Sequence, residues 1–255
     1  MQDKIVVTNI QRMCFMDGPG IRTTVFLKGC GIHCPWCANP ENINFETQDK
    51  SVVDDKKFCG KEYSIDKLVD ELMKDYKFWK NNGGVTFSGG EPFYYAEVLE
   101  PVIKILKSKK VNIFFETSLF VPQKKVKLLL PYIDGVFVDI KILQPDACKE
   151  VLGGNVEVYR ENVKFLYKMK KIYRFRIPCN YEYTLVEENK QLIKAFLSEY
   201  NDIVTQIFSI HDLGRSKYED LGMNFWEHIK VDERELNEFS AFLNNGLFEV
   251  EIIHI

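Results

Sequence analysis

Short β-rich runs that alternate with helix-period segments almost to the C-terminus predict an α/β protein. Such alternation implies parallel strands joined by crossover helices, either a β/α barrel or a doubly wound sheet. The residues with chemistry fall directly after strand candidates, where both folds gather their active sites.

The first strand candidate covers 23–28. Next, Ile65, Leu68, Val69, Leu72, Met73 and Tyr76 form an i, i+3, i+4, i+7 stripe with charges opposite, which predicts an amphipathic helix. A strand over 84–88 and a helix over 96–107 follow, and then strands over 111–116, 135–140, 172–177 and 203–210. A helix over 187–200 fills the last gap. The segment 232–244 reads as a C-terminal helix and 247–253 as an edge strand. At 255 residues one domain over 1–255 is expected, with its core about 20–215 and a C-terminal helix and edge strand about 216–255.

Lys plus Arg number 34 against 37 Asp plus Glu, and the net charge of −3 argues against general nucleic-acid binding. The start lacks the basic end and long apolar stretch of a signal peptide. No apolar run approaches the roughly 18 to 20 residues of a membrane span. Seven cysteines, an odd number with three clustered, fit a reducing cytoplasm better than a disulfide framework.

Cys30, Cys34 and Cys37 are spaced C-x3-C-x2-C. Three ligands on so short a loop can hold a metal centre and leave a coordination position open, as catalytic sites do. Thiolates select iron–sulfur clusters, zinc or cuprous copper. The spacing differs from the paired C-x2-C of zinc ribbons and favours a three-cysteine cluster; His33, inside the loop, is expected to point away from it. Ser88-Gly89-Gly90-Glu91 closes the second strand, where a Gly-Gly turn lets a ligand approach and the carboxylate can accept from an ammonium. Asp139 and Lys141, at i and i+2, project to one strand face. They could simply cap that strand, but a buried charged pair is costly without a ligand to satisfy it. His211 follows an apolar strand on the same rim. Cys14, Cys59, Cys148 and Cys179 fit no cluster pattern and read as packing thiols.

The stretch from Asn9 to Glu41, including Asp17-Gly18-Pro19-Gly20-Ile21-Arg22 and the three cysteines, closely resembles glycyl-radical-enzyme activating enzymes of the radical S-adenosylmethionine (SAM) superfamily. The run 84–92, Glu116-Thr117-Ser118, Asp139-Ile140-Lys141, Arg176-Ile177-Pro178 and 211–218 resemble further motifs of that family in the same order. The resemblance implies an open partial (β/α)6 barrel and one [4Fe-4S] cluster on Cys30, Cys34 and Cys37, with SAM chelated at the remaining iron. It further implies that Trp36 packs on adenine and that Ser88, Gly89, Gly90 and Glu91 hold the SAM ammonium. Asp139, Lys141, Arg176 and His211 would line the rest of SAM, Lys141 among the catalytic groups. Glu116, Thr117 and Asp139 could hold a monovalent cation.

The implied activity is that of a radical SAM oxidoreductase. It cleaves SAM reductively and takes a hydrogen from a glycine of a partner glycyl-radical enzyme. A flavodoxin or ferredoxin-type donor supplies the electron, and the chain itself is expected to be monomeric. Two alternatives keep their place at this stage: radical chemistry on a peptide or small metabolite, and a zinc-stabilised binding module without catalysis. Three departures from the family stand out. Only Cys59 lies among the 51 residues between Cys37 and Gly89, where many relatives carry accessory clusters. Leu119 replaces a usual Gly, and 179–184 is rewritten; both changes are expected on the rim where substrate enters.

Overall fold

A computed structural model describes residues 4–45, 60–80, 82–244, 246 and 248–254. Nine strands form one sheet in the order β3-β1-β2-β4-β5-β6-β7-β8-β9. They are β1 Lys4–Cys14, β2 Arg22–Leu27, β3 Lys61–Ser64, β4 Gly84–Gly89, β5 Asn112–Thr117, β6 Gly135–Asp139, β7 Ile172–Cys179, β8 Thr205–Ser209 and β9 Val250–Ile252. From β2 to β9 every neighbouring pair is parallel; β1 runs antiparallel to both β2 and β3. Because β3 and β9 end the sheet without meeting, the barrel is open. Its central six strands, β2 and β4 to β8, are those expected from the sequence, with ends displaced by no more than two residues.

The helices are α1 Ile65–Met73, α2 Ala96–Ser108, α3 Gln123–Leu129, α4 Pro145–Ala147, α5 Val156–Lys168, α6 Glu187–Ser198, α7 Arg215–Asp220 and α8 Glu233–Leu243. Side-chain caps start several of them: Ser64 accepts from the Lys67 amide at α1 and Asp232 from the Glu235 amide at α8. The α1 stripe is shorter than its periodicity suggests. The helix stops at Met73, and Tyr76 opens a separate 3-10 turn with its ring half exposed. Strands β1 and β3 went unread because β1 alternates only near its start and β3 is four residues, three of them exposed. Unread helix α5 did carry a legible stripe, Val156, Tyr159, Val163 and Leu166, all buried.

Strand β4 is buried along its first five residues, as a strand covered on both faces must be. Below the strand ends, Arg22 is fully buried. It donates to Thr86 Oγ1 at 3.0 Å, the Val85 carbonyl at 2.6 Å and Asn112 Oδ1 at 2.7 Å. Three neighbouring strands, β2, β4 and β5, are thus tied at their N-terminal ends, while their C-terminal ends are left for the site.

Candidate active site at the strand ends

The loop after β2 closes on itself before it presents its thiols. The Gly29 amide donates to the Asn42 carbonyl at 2.7 Å, Cys30 to Ile43 at 2.9 Å and Cys37 to Cys34 at 3.1 Å. Strand β4 fastens the loop's base from the other side: the amides of Gly90 and Glu91 donate to the carbonyls of Leu27 at 2.7 Å and Gly29 at 2.8 Å. Gly89 has φ +105°, and a Cβ there would lie 2.3 Å from the Leu27 nitrogen; one on Gly90 would lie 2.0 Å from the Gly29 oxygen. These glycines therefore admit the neighbouring chain, where the sequence suggested room for a ligand. Both still line the cavity with their backbones.

That cavity measures about 320 Å³, in the range of small-molecule sites. Cys30, Cys34, Cys37 and Trp36 form one wall. Facing them are Ser88 and Gly89 of β4 and Gly90 after it, Glu116 and Thr117 of β5, Asp139 of β6 and Lys141 after it, Arg176 of β7, and His211 beyond β8. Ile32, Ala38, Asn39, Ser118, Pro178, Phe208 and Ile210 also line it; Ser118 and Pro178 lie within the motifs noted in the sequence, whereas apolar residues such as Ile32, Phe208 and Ile210 carry no signal that separates them from core. His33 is exposed and outside the lining, as expected.

Burial pushes the thiols of Cys30 and Cys34 up to about 12 and raises that of Cys37, since a thiolate without a cation is poorly solvated there. Soft ligands gathered on one cavity wall suit a metal centre that supplies the positive charge. Among the described residues, no three Cys, His, Asp or Glu side chains gather closely enough to enclose one ion.

Two ion pairs cross the floor. Lys141 Nζ lies 2.9 Å from Asp139 Oδ2. Burial alone would lower the Lys141 ammonium, but Asp139 and the neighbouring thiols outweigh it and the net shift is upward, so the cation persists. Arg176 Nη1 lies 2.5 Å from Glu116 Oε1, while Ser88 Oγ donates to Glu116 Oε2 at 2.6 Å. The His211 imidazole is half-buried and its Nδ1 accepts from the Leu213 amide at 3.3 Å. Burial disfavours the imidazolium and lowers its pKa. Each residue suggested for a monovalent cation has an internal partner: Glu116 these two donors, Thr117 a bond to Glu91, and Asp139 the Lys141 ammonium.

Glu91 differs from its expectation. The residue is 1% exposed and is not part of the cavity lining. It accepts from Thr117 Oγ1 at 2.7 Å, the Ser118 amide at 2.9 Å, Ser118 Oγ at 2.8 Å and the Phe93 amide at 3.2 Å. All but the Phe93 amide come from the end of β5 and the residue after it, so Glu91 joins the ends of β4 and β5. Leu119 is likewise not on the rim: it is fully buried, with φ +59°, the left-handed backbone that explains why a glycine suits this position. In the 179–184 segment, Cys179, Asn180 and Thr184 are buried in a turn closed by Asn180 Nδ2 to Thr184 Oγ1 at 3.0 Å. Tyr183 packs its ring 5.4 Å from that of Trp36, on the cavity wall. The Trp226 ring lies 6.2 Å from that of Trp36, and the buried Trp36 Nε1 has no hydrogen-bond partner. Cys14, Cys148 and Cys179 are buried away from the cavity, and Cys59 lies outside the described residues.

The 4Fe-4S single cluster domain family matches residues 16–152. The 4-hydroxyphenylacetate decarboxylase activating enzyme of Clostridioides difficile strain 630 is 31% identical, with 95% of this chain and 94% of that protein aligned. The pyruvate formate-lyase 2-activating enzyme of Escherichia coli K12 is 33% identical, with 85% and 80% aligned. Among solved structures, Streptococcus suis SuiB bound to SAM superposes with a TM-score of 0.59 at 15% identity, over 88% of this chain and 48% of that one. At that identity the likeness speaks for the fold alone.

Proposed function

This chain belongs to the glycyl-radical-enzyme activating enzymes of the radical SAM superfamily, and we propose that the cavity at its strand ends performs the activation of a partner glycyl-radical enzyme. The observation that carries this reading is the meeting of three thiols with the ends of five parallel strands around one cavity. When bound, a [4Fe-4S] cluster supplies the electron that cleaves SAM to methionine and a 5′-deoxyadenosyl radical, which takes hydrogen from a glycine of the partner.

Cys30, Cys34 and Cys37 would hold that cluster as thiolates. The backbones of Ser88, Gly89 and Gly90 face the same space and would receive the amino-acid end of SAM, with Glu91 shaping the turn from behind. Lys141 and Arg176 offer cations to its carboxylate and ribose oxygens, each held in place by its partner carboxylate. Trp36, backed by Tyr183 and Trp226, offers its indole to the adenine. Neutral His211 completes the wall without adding a charge against the sulfonium. The aromatic cover and the loop closed over Gly29 exclude water from a centre that must stay strongly reducing.

The partner's identity and the electron donor lie beyond the family, and a flavodoxin or ferredoxin-type protein is the proposed donor. A monomer working in the cytoplasm is the proposed setting. No helix of the described residues is long and apolar enough to cross a membrane. The test is anaerobic incubation of reduced protein and SAM with a glycyl-radical enzyme from the same genome. A glycine-centred doublet in the partner's EPR spectrum is expected. Deoxyadenosine formation that needs a small metabolite and leaves the partner silent would redirect the reading to metabolite chemistry.

A further inference from the structure

Helix α7 and the turn before it touch the cluster loop but stand outside the cavity, so the roles assigned above leave them unused. The turn presses directly on the loop: a Cβ on Gly214 would lie 3.0 Å from the Ala38 oxygen and 3.2 Å from its Cα. From α7, Tyr218 Oη donates to the carbonyl of Cys37 itself at 3.0 Å. Lys217 Nζ donates to the Ala38 carbonyl at 3.2 Å, Asn39 Oδ1 at 2.7 Å and Glu41 Oε1 at 2.8 Å. Glu41 is 5% exposed, and its second carboxylate oxygen is buried with no hydrogen-bond partner. Its charge therefore leans on Lys217. Residues nearly 180 positions apart thus form one clamp on the segment that carries the third thiol.

We infer that Lys217, Glu41 and Tyr218 are positioning residues for Cys37, and that Lys217 and Glu41 balance each other's opposite influence on how readily the centre on the three cysteines accepts an electron. Reduction adds a negative charge, which a nearby cation favours and a nearby anion opposes. Lys217 Nζ binds the carbonyl of Ala38, the residue next to Cys37, and Glu41 sits four positions after Cys37 on the same loop, so both charges lie within a Debye length of the centre. Paired, they nearly cancel; either alone would move the potential in its own direction. Tyr218 acts geometrically, through the Cys37 backbone. None of the three lines the SAM cavity, so the effect needs no contact with SAM.

The inference rests on the cluster reading above, and the two fail differently. The measurement is an EPR-monitored redox titration of anaerobically reconstituted full-length protein without SAM or partner, beside its iron content. Lys217→Gln, which keeps a donor and loses the charge, should lower the one-electron equilibrium constant about tenfold, or about 59 mV. Glu41→Gln should raise it by a similar factor, and the double variant should return close to the parent. Tyr218→Phe should release iron to a chelator several-fold faster. If Lys217→Gln holds no iron, Lys217→Arg must restore both iron and the parent potential. Unchanged potentials at full iron content, or shifts of both single variants in the same direction, would overturn the inference. A parent that takes up no iron at all would instead remove the cluster reading.

Discussion

Glu91 has its carboxylate surrounded by donors from Thr117, Ser118 and Phe93, so its first effect is on the fold. Replacing it with Ala leaves buried hydroxyl and amide donors without an acceptor, at a cost of about 1–3 kcal/mol. Glu91→Ala should therefore lower the thermal midpoint of the apoprotein by several degrees in circular dichroism, before any loss of SAM affinity is considered; an unchanged midpoint would return the residue to a ligand role. Leu119 poses a contest between two effects of known size. Leu119→Gly relieves a left-handed backbone worth about 1–2 kcal/mol, but deletes a fully buried side chain worth about 2–5 kcal/mol. The cavity effect is larger, so the variant should be destabilised by roughly 1–3 kcal/mol in urea unfolding. A stabilised variant would show that the neighbours collapse to fill the space.

At the scale of elements, the end of β4 and the base of the cysteine loop are one unit. The Gly90 and Glu91 amides bind Leu27 and Gly29, and the missing Cβ of Gly90 leaves room for the Gly29 carbonyl. Backbone cannot move aside as a flexible side chain can. Gly90→Ala should thus push the loop from β4 and lower iron content and SAM affinity together, measured by iron assay and by SAM titration of the cluster's EPR signal. Loss of SAM affinity with iron fully retained would show that the glycine serves only the ligand.

For the whole molecule, the three clustered cysteines and the absence of any cluster pattern among the other four set the metal content. About four irons per chain are expected, one cluster's worth. The Cys30→Ala, Cys34→Ala and Cys37→Ala triple variant should hold none, whereas Cys59→Ala should match the parent in iron and in SAM cleavage. Iron lost on the Cys59 change alone would reveal a second centre. The alignment to the C. difficile relative spans 299 positions against this chain's 255 residues, so that relative carries insertions absent here.

Much of this was determined by sequence alone. Local hydrophobic periodicity places six parallel strands to within two residues, because strands buried on both faces are continuous apolar runs that need no partner to be recognised. The C-x3-C-x2-C spacing and the polar residues after each strand are likewise contiguous in sequence, and all but Glu91 of the expected residues line one cavity. What tertiary structure decided is direction and long-range contact. Spacing says that Glu91 follows a Gly-Gly turn, but not that donors 26 and 27 residues away draw its carboxylate inward. Composition could not say that Leu119 adopts a positive φ inside the core, or that Trp226 and Tyr183 enclose Trp36. Nor could it place Lys217 and Tyr218 against the residues around Cys37. Such pairings arise when the barrel brings distant loops to one rim, and no period within a single element encodes them.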